Sequence, residues 1–483
     1  MRNIFSSLTA QYPTYRSILL YVLSVAFGRG LSIIALPFIA RFMPPSDYAR
    51  LDVAASIIEI SGIFASFALA DLMFRFAASA KTDEEQRKIA GGILGVGLVC
   101  AALTLVLTQI FLPILASYLV LGVETPVLRV GLAAAACTGL IELPLAWLRM
   151  RDKPGLYLAF IAGRSLAQIC AMLSILYMGY GPEGVIISNA AIEAVITLYL
   201  VIRQIKSFGV YLSRDMLRHA LRYSLPIVGG SLAMFGLGTC DRFFLSNAVN
   251  PQVLAHYTLA GKLAFATPLI MQPFSLWWNP KRIAILNEPD GLNQSSQYVG
   301  YGLVILVIAA ILVTVTGSIF IYTFMPASYH GAITFLPMLV MLIGMNELCT
   351  LLNVGSFAKS HSGEILLVNG LGGLVAFIGY VLFVPSLAVY GAILATAAGQ
   401  STRILLFIIF GRKTAPIPYP LTRFFILLLS AVLLLYSMPP INQIVMQMLF
   451  LLALIALIIS AAMVLNLVPR IFLKNRTLQI KLK

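Results

Sequence analysis

Long apolar runs, broken by short polar stretches, recur along this chain from Ser17 to Asn466. A helix of about 20 apolar residues crosses ~30 Å of hydrocarbon, and each run is long enough to do so. The pattern predicts fourteen spans: 17–42, 50–74, 89–112, 127–148, 157–180, 183–203, 220–248, 252–280, 298–324, 332–356, 364–384, 388–411, 421–438 and 441–466. The connections between them are short, so successive helices run antiparallel and little chain is left for a soluble domain. The expected fold class is an all-α polytopic membrane protein. One interruption stands out: the segment from Lys281 to Gln297, containing "NEPDGLNQSS", reads as a polar inner loop.

Composition agrees with the pattern. The chain is 60% hydrophobic and 11% charged, whereas soluble domains carry ~25% charged residues. The formal net charge of +15 is unevenly placed. With the N-terminus on the inner side, 26 of the 33 lysines and arginines fall on inner segments, Arg403 among them as part of the basic stretch before span 13. Positive charge marks the cytoplasmic side, so both termini are expected there, and topology rather than nucleic-acid binding accounts for the basic balance. Residues 1–16 are polar and the first apolar run is too long for a cleaved leader. The tail "RIFLKNRTLQIKLK" is suited to contact with anionic membrane lipids.

Several chemistries are disfavoured. The five cysteines fall in apolar runs with neither zinc nor disulfide spacing. No GxxxxGK[ST] phosphate loop is present, so no cofactor, metal or ATPase activity is expected. The longest outer loop is about 113–126. That leaves no room for the catalytic outer loop of a membrane glycosyl ligase or polymerase, and the chain is read as a non-enzyme without catalytic residues.

An offset of 206 residues brings Arg16 onto Arg222, Pro45 onto Pro251, Leu51 onto Tyr257 and Ala54 onto Ala260. Six spans separate the copies, so the halves are parallel repeats. The expected organisation is a six-helix bundle over 1–210, a second over 211–415, and two further helices with a basic tail over 416–483. Transporters commonly bind substrate between such repeats.

Charges inside the spans mark substrate or ion paths, or paired sites. The cations are Arg29, Arg164, Arg242 and Lys262; the anions are Glu59, Glu142, Glu193, Asp241 and Glu347. Arg29 and Lys262 lie deepest, about 18 and 15 Å along their helices. The cations are candidate substrate-binding residues, and the anions are candidates for ion coupling or structural pairing. Asp241 and Arg242 are adjacent and point about 100° apart on a helix, so at least one must find its partner elsewhere. Asp71 and Arg75, at i,i+4 spacing, are expected to pair with each other. Glycines around Arg29 and along span 7, with Pro268 and Pro273 in span 8, fit either close packing or a bendable gate.

The stretch "RYSLPIVGGSLAMFGLGTCDRFFLSNAVNPQVLAHYTLAGKLA" (222–264) resembles the central signature of the polysaccharide transporter family. That family lies within the multidrug/oligosaccharidyl-lipid/polysaccharide exporter superfamily and includes the Wzx-type flippases. "GRGLSIIALPFIARFMPPSDYARLDV" resembles its first span and following Pro-x-x-Tyr turn, and "AVYGAILATAAGQ" its late Tyr-Gly-Ala-Ala segment. The resemblance implies translocation of undecaprenyl-diphosphate-linked oligosaccharide across the bacterial inner membrane by alternating access, driven by an ion gradient. It implies a cationic central cavity, and a polysaccharide polymerase and co-polymerase as partners. The alternative within the superfamily is a cation-coupled multidrug antiporter, which would depend on acidic and aromatic residues instead.

Overall fold

The computed structural model describes residues 13–118, 123–358 and 362–468. Every regular element among them is a helix. The main helices are α1 (Pro13–Phe42), α2 (Pro45–Ala77), α3 (Asp83–Tyr118), α4 (Thr125–Met150), α5 (Pro154–Tyr177), α6 (Gly181–Phe208) and α7 (Arg214–Ala248). Then follow α8 (Pro251–Leu286), α9 (Gly291–Phe324), α10 (Ala332–Leu352), α11 (Ser362–Thr414), α12 (Leu421–Tyr436) and α13 (Ile444–Val464). Eleven of these are long and apolar enough to cross a membrane. The others are α1, apolar over Gly30–Phe42, and the shorter α12. α11 has a non-helical residue, Ala388 at φ 50° and ψ −124°, close to the expected break between two spans.

Two compact units can be described. The first comprises Met1–Thr258, Met325–Tyr329 and Phe377–Ala392. Within it α1 packs on α5, α5 on α6, α3 on α4, and α2 and α6 on α4. The second comprises Leu259–Phe324, His330–Ala376 and Ile393–Lys483. Its core centres on α9, against which α10, α12, α13 and the second half of α8 pack.

The repeated prolines have a structural counterpart. Pro45 and Pro251 each open a helix, α2 and α8, where the missing N–H costs nothing and the fixed φ suits the first turn. The Pro45–Tyr48 segment, expected as a turn, is therefore the first turn of α2. α8 breaks at Phe265 and restarts at Ala266, so Pro268 falls in a first turn that needs no donor at its position. The expected polar loop over 281–297 is mostly helix. α8 runs to Leu286, α9 starts at Gly291, and only 287–290 connect them. Gly291 makes this possible: a Cβ there would lie 2.3 Å from the Leu286 carbonyl oxygen.

α2 is interrupted where Phe67 and Ala68 adopt φ of 43° and 51°. Left-handed non-glycine residues of this kind cost of order 1–3 kcal/mol each and persist where neighbours enforce them. The neighbour is α4, whose Gly139 would place a Cβ 2.2 Å from the Ala65 carbonyl oxygen. Gly139→Ala is thus expected to cost about 1–3 kcal/mol by overpacking, read as a fall in the thermal unfolding midpoint in detergent. Beyond the break, Met73–Ala77 forms a π-helical turn. That turn removes the i,i+4 register between Asp71 and Arg75. The expected pair does not form, and Arg75 instead lies over the Tyr223 ring at 5.5 Å.

Candidate functional site

In the first unit a layer of charged and hydroxyl groups forms where α2, α7 and α8 meet. It begins with a break in α7. Gly236 and Gly238 weaken the helix, Thr239 leaves helical geometry at φ −138°, and a new helix starts at Asp241. Asp241 and Arg242 therefore open a short helix, where a carboxylate is favoured by the helix dipole.

The two neighbours find different partners. Arg242 Nε meets Asp52 Oδ2 of α2 at 3.0 Å, and its Nη1 donates to Ser56 Oγ at 3.3 Å. Ser56 in turn donates to the Asp52 carbonyl oxygen at 2.9 Å. Asp241 accepts a hydrogen bond from the Tyr257 hydroxyl of α8 through Oδ2, while its buried Oδ1 meets no side-chain donor among the described residues. Asp52 is 3% exposed and Asp241 5%. One turn nearer the Val249 end, Phe244 packs against Tyr380 and Phe377 with centroids 5.5 and 5.6 Å apart.

Counted from the helix ends at Pro45, Val249 and Pro251, Asp52, Asp241, Arg242 and Tyr257 lie about 9–12 Å deep, and Ser56 one turn deeper. On the same side, Tyr329 donates to the Met43 carbonyl oxygen at 2.8 Å and stands edge-on to Tyr48. His256 Nε2 lies 2.7 Å from the Ser328 carbonyl oxygen. At this end of the unit a buried ion pair thus stands with several aromatic and backbone contacts.

Asp52 is absent from the sequence-derived set. Its signal was the spacing 52, 56 and 59, which places Asp52, Ser56 and Glu59 on one helix face. Glu59 itself is exposed. Arg164 and Glu193 form a second ion pair, between α5 and α6, at 2.8 Å, with Gln168 donating to the other Glu193 oxygen at 3.4 Å. Glu142 is half-buried on α4. Lys262 and Glu347 are half-buried in the second unit. Arg29 lies on α1, and its side chain falls outside the described residues, as does the basic tail.

Arg403 requires a correction. Counted from sequence among cytoplasmic charges, it is 5% exposed, well inside the second half of α11. Nε donates to Asn369 Oδ1 at 3.0 Å, and Nη1 to Asn346 Oδ1 at 2.8 Å and Gln400 Oε1 at 2.6 Å. Gly372 leaves room for the stem, since a Cβ there would meet Arg403 Cγ at 2.4 Å. Three amide oxygens held by one guanidinium tie α10 to both parts of α11. Hydropathy averaging hid this residue because basic Arg412 and Lys413 follow it closely.

The fold matches known transporters. The lipid II flippase MurJ in an inward closed conformation aligns over 92% of this chain and 99% of its own, with TM-score 0.68 and 13% identity. An inward-facing multidrug resistance MATE family transporter of the MOP superfamily aligns over 81% and 97%, with TM-score 0.56 and 13% identity. An outward-facing member of that family gives 82% and 95%, TM-score 0.51 and 15% identity. At such identities these likenesses concern the fold. Among curated protein sequences there is no match. The sequence profile described as polysaccharide biosynthesis protein matches residues 14–276, more than half of the chain. With its apolar helices and a fold like that of MurJ, this multi-pass membrane protein belongs to the polysaccharide biosynthesis protein family.

Proposed function

We propose that the protein is a flippase moving undecaprenyl-diphosphate-linked oligosaccharide units of O-antigen or exopolysaccharide across the bacterial inner membrane. It has fourteen spans in this reading, with both termini cytoplasmic and two parallel six-helix repeats over 1–210 and 211–415. The observation that carries the proposal is the buried layer in a chain of this family. Asp52 and Ser56 lie in the first repeat; Arg242, Asp241 and Tyr257 lie in the second. An ion pair across a repeat boundary is suited to an outer gate that parts during alternating access.

The chemistry follows from charge. A polyprenyl-diphosphate sugar bears at least two negative charges and cannot cross hydrocarbon unaided. Arg29 and Lys262 offer cations near mid-membrane. Arg242 and Arg164 are held by Asp52 and Glu193, so each becomes available to a phosphate only when its pair opens. An arginine fork then serves both the carboxylate and the phosphate. The layer holds two carboxylates and one guanidinium. Asp241, buried and with no side-chain donor to Oδ1 among the described residues, is the member best suited to carry a coupling cation or proton; Glu59, Glu142, Glu193 and Glu347 are the alternatives. The exported unit passes to a polymerase and its co-polymerase.

The test uses variants that still insert. Arg29→Ala and Lys262→Ala should each stop surface polysaccharide assembly with normal protein in the membrane. Normal export by both would sink the cationic path. Similarity to MATE transporters and the exposed Glu59 give the antiporter reading its footing. Drug export that needs Glu59 or Glu142 but ignores Arg29 would establish it instead.

A further inference from the structure

The first unit also carries a concave apolar site that the transport reading does not use. A cavity of about 430 Å³ opens between α2, α3 and α7, walled by Phe64 of α2, Leu103, Leu107 and Phe111 of α3, and Leu217 and Leu221 of α7. Its α3 wall extends from Val99 to Leu112, about 20 Å along a helix. That exceeds the ~15 Å half-thickness of a bilayer core. Its size lies within the range of small-molecule sites.

The end at Leu217 and Leu221 is cationic. Arg218 and Arg222, at i,i+4 spacing, are exposed on the neighbouring stripe of α7, and exposed Tyr211, Leu212 and Arg214 precede them. Asp215 is the one exposed acid in this stretch, so it stays net positive. Exposed tyrosine beside arginine is the composition of a headgroup region. The segment is fixed in place: Tyr211 N–H donates to the Gly91 carbonyl oxygen at 3.2 Å. Gly95 lets the Tyr211 carbonyl come within 2.3 Å of where a Cβ would stand.

An apolar helix face in a membrane needs no special occupant. A groove about one leaflet deep with two arginines at one end fits one chemistry. We propose that this groove holds an anionic glycerophospholipid of the surrounding bilayer, one hydrocarbon chain lying between α2 and α3 and the phosphate resting on Arg218 and Arg222. The site is independent of the flippase reading and stands or falls separately.

The test is lipid retention by the full-length protein, measured by native mass spectrometry after detergent exchange with phosphatidylglycerol or phosphatidylcholine. The native chain should keep one phosphatidylglycerol in preference to phosphatidylcholine. Arg218→Gln/Arg222→Gln should reduce that preference about thirtyfold, the product of two arginine–headgroup contacts. Arg203→Gln/Lys206→Gln, which removes two cations from α6, should leave it unchanged. Leu103→Trp, which fills the groove, should release either lipid; if it does not fold, the arginine pair decides. Equal retention of both lipids, or an unaltered preference in the double glutamine variant, overturns the proposal. So does a polyprenyl monophosphate that displaces phosphatidylglycerol and is not displaced by it, for the groove would then belong to the carrier lipid.

Discussion

Arg242→Gln is expected to destabilise the protein by about 3–5 kcal/mol, the usual cost of removing one partner from a buried ion pair. The reason is local. Asp52 and Asp241 would share a buried layer with no guanidinium between them. The double variant Asp52→Asn/Arg242→Gln should recover part of the loss, because no charge then faces an absent partner. Arg242→Lys should keep the charge but lose the fork that reaches both Asp52 and Ser56. Thermal unfolding in detergent ranks the three. A single glutamine variant as stable as the native chain would show that the pair contributes nothing, and with it the gate would lose its structural basis.

The second large effect belongs to Arg403. Arg403→Ala removes the guanidinium donor from the side-chain oxygens of Asn346, Asn369 and Gln400, and leaves Gln400 Oε1 only the weak Cys349 thiol donor at 3.8 Å. An unsatisfied buried acceptor costs about 1–3 kcal/mol; Gln400 is buried and Asn346 and Asn369 half-buried, and the lost stem leaves a cavity against Gly372. The variant is expected to yield little monodisperse protein on size exclusion. Arg403→Met refills much of the volume but leaves the acceptors bare, so it should be rescued only partly. Full rescue by methionine would mean that volume rather than hydrogen bonding holds α10 and α11 together. Gly372→Ala disturbs the same hub by pressing on the arginine stem, and should cost less than Arg403→Ala because the stem can shift by rotation.

Hydropathy made the broad architecture legible. Helix length and apolarity are local properties, so the runs could be read directly, whereas Pro45 and Pro251, which open α2 and α8, sit in segments that read as turns. The Arg164 and Glu193 positions were legible as intramembrane charges, although their pairing depends on how α5 and α6 pack. What escaped depends on neighbours far along the chain. The kink at Phe67 and Ala68 carries no glycine or proline; it is sustained by Gly139 of α4. The turn at 287–290 reads as a long polar loop because polar residues form helix ends as readily as loops. Asp52 lies near a span end in sequence but in a buried layer in space, since Arg242 approaches from 190 positions later. Arg403 was hidden by a charge ledger that assigns a side by sequence proximity and takes no account of burial.

Whether this chain translocates a lipid-linked oligosaccharide, as proposed, is decided in a strain lacking it. Undecaprenyl-linked lipids would be extracted and compared with the parent by mass spectrometry, with leaflet accessibility probed on intact spheroplasts. The expected result is accumulation of an undecaprenyl-diphosphate oligosaccharide confined to the inner leaflet, relieved by the native chain but not by Lys262→Ala. Unchanged lipid intermediates together with normal surface polysaccharide would contradict it.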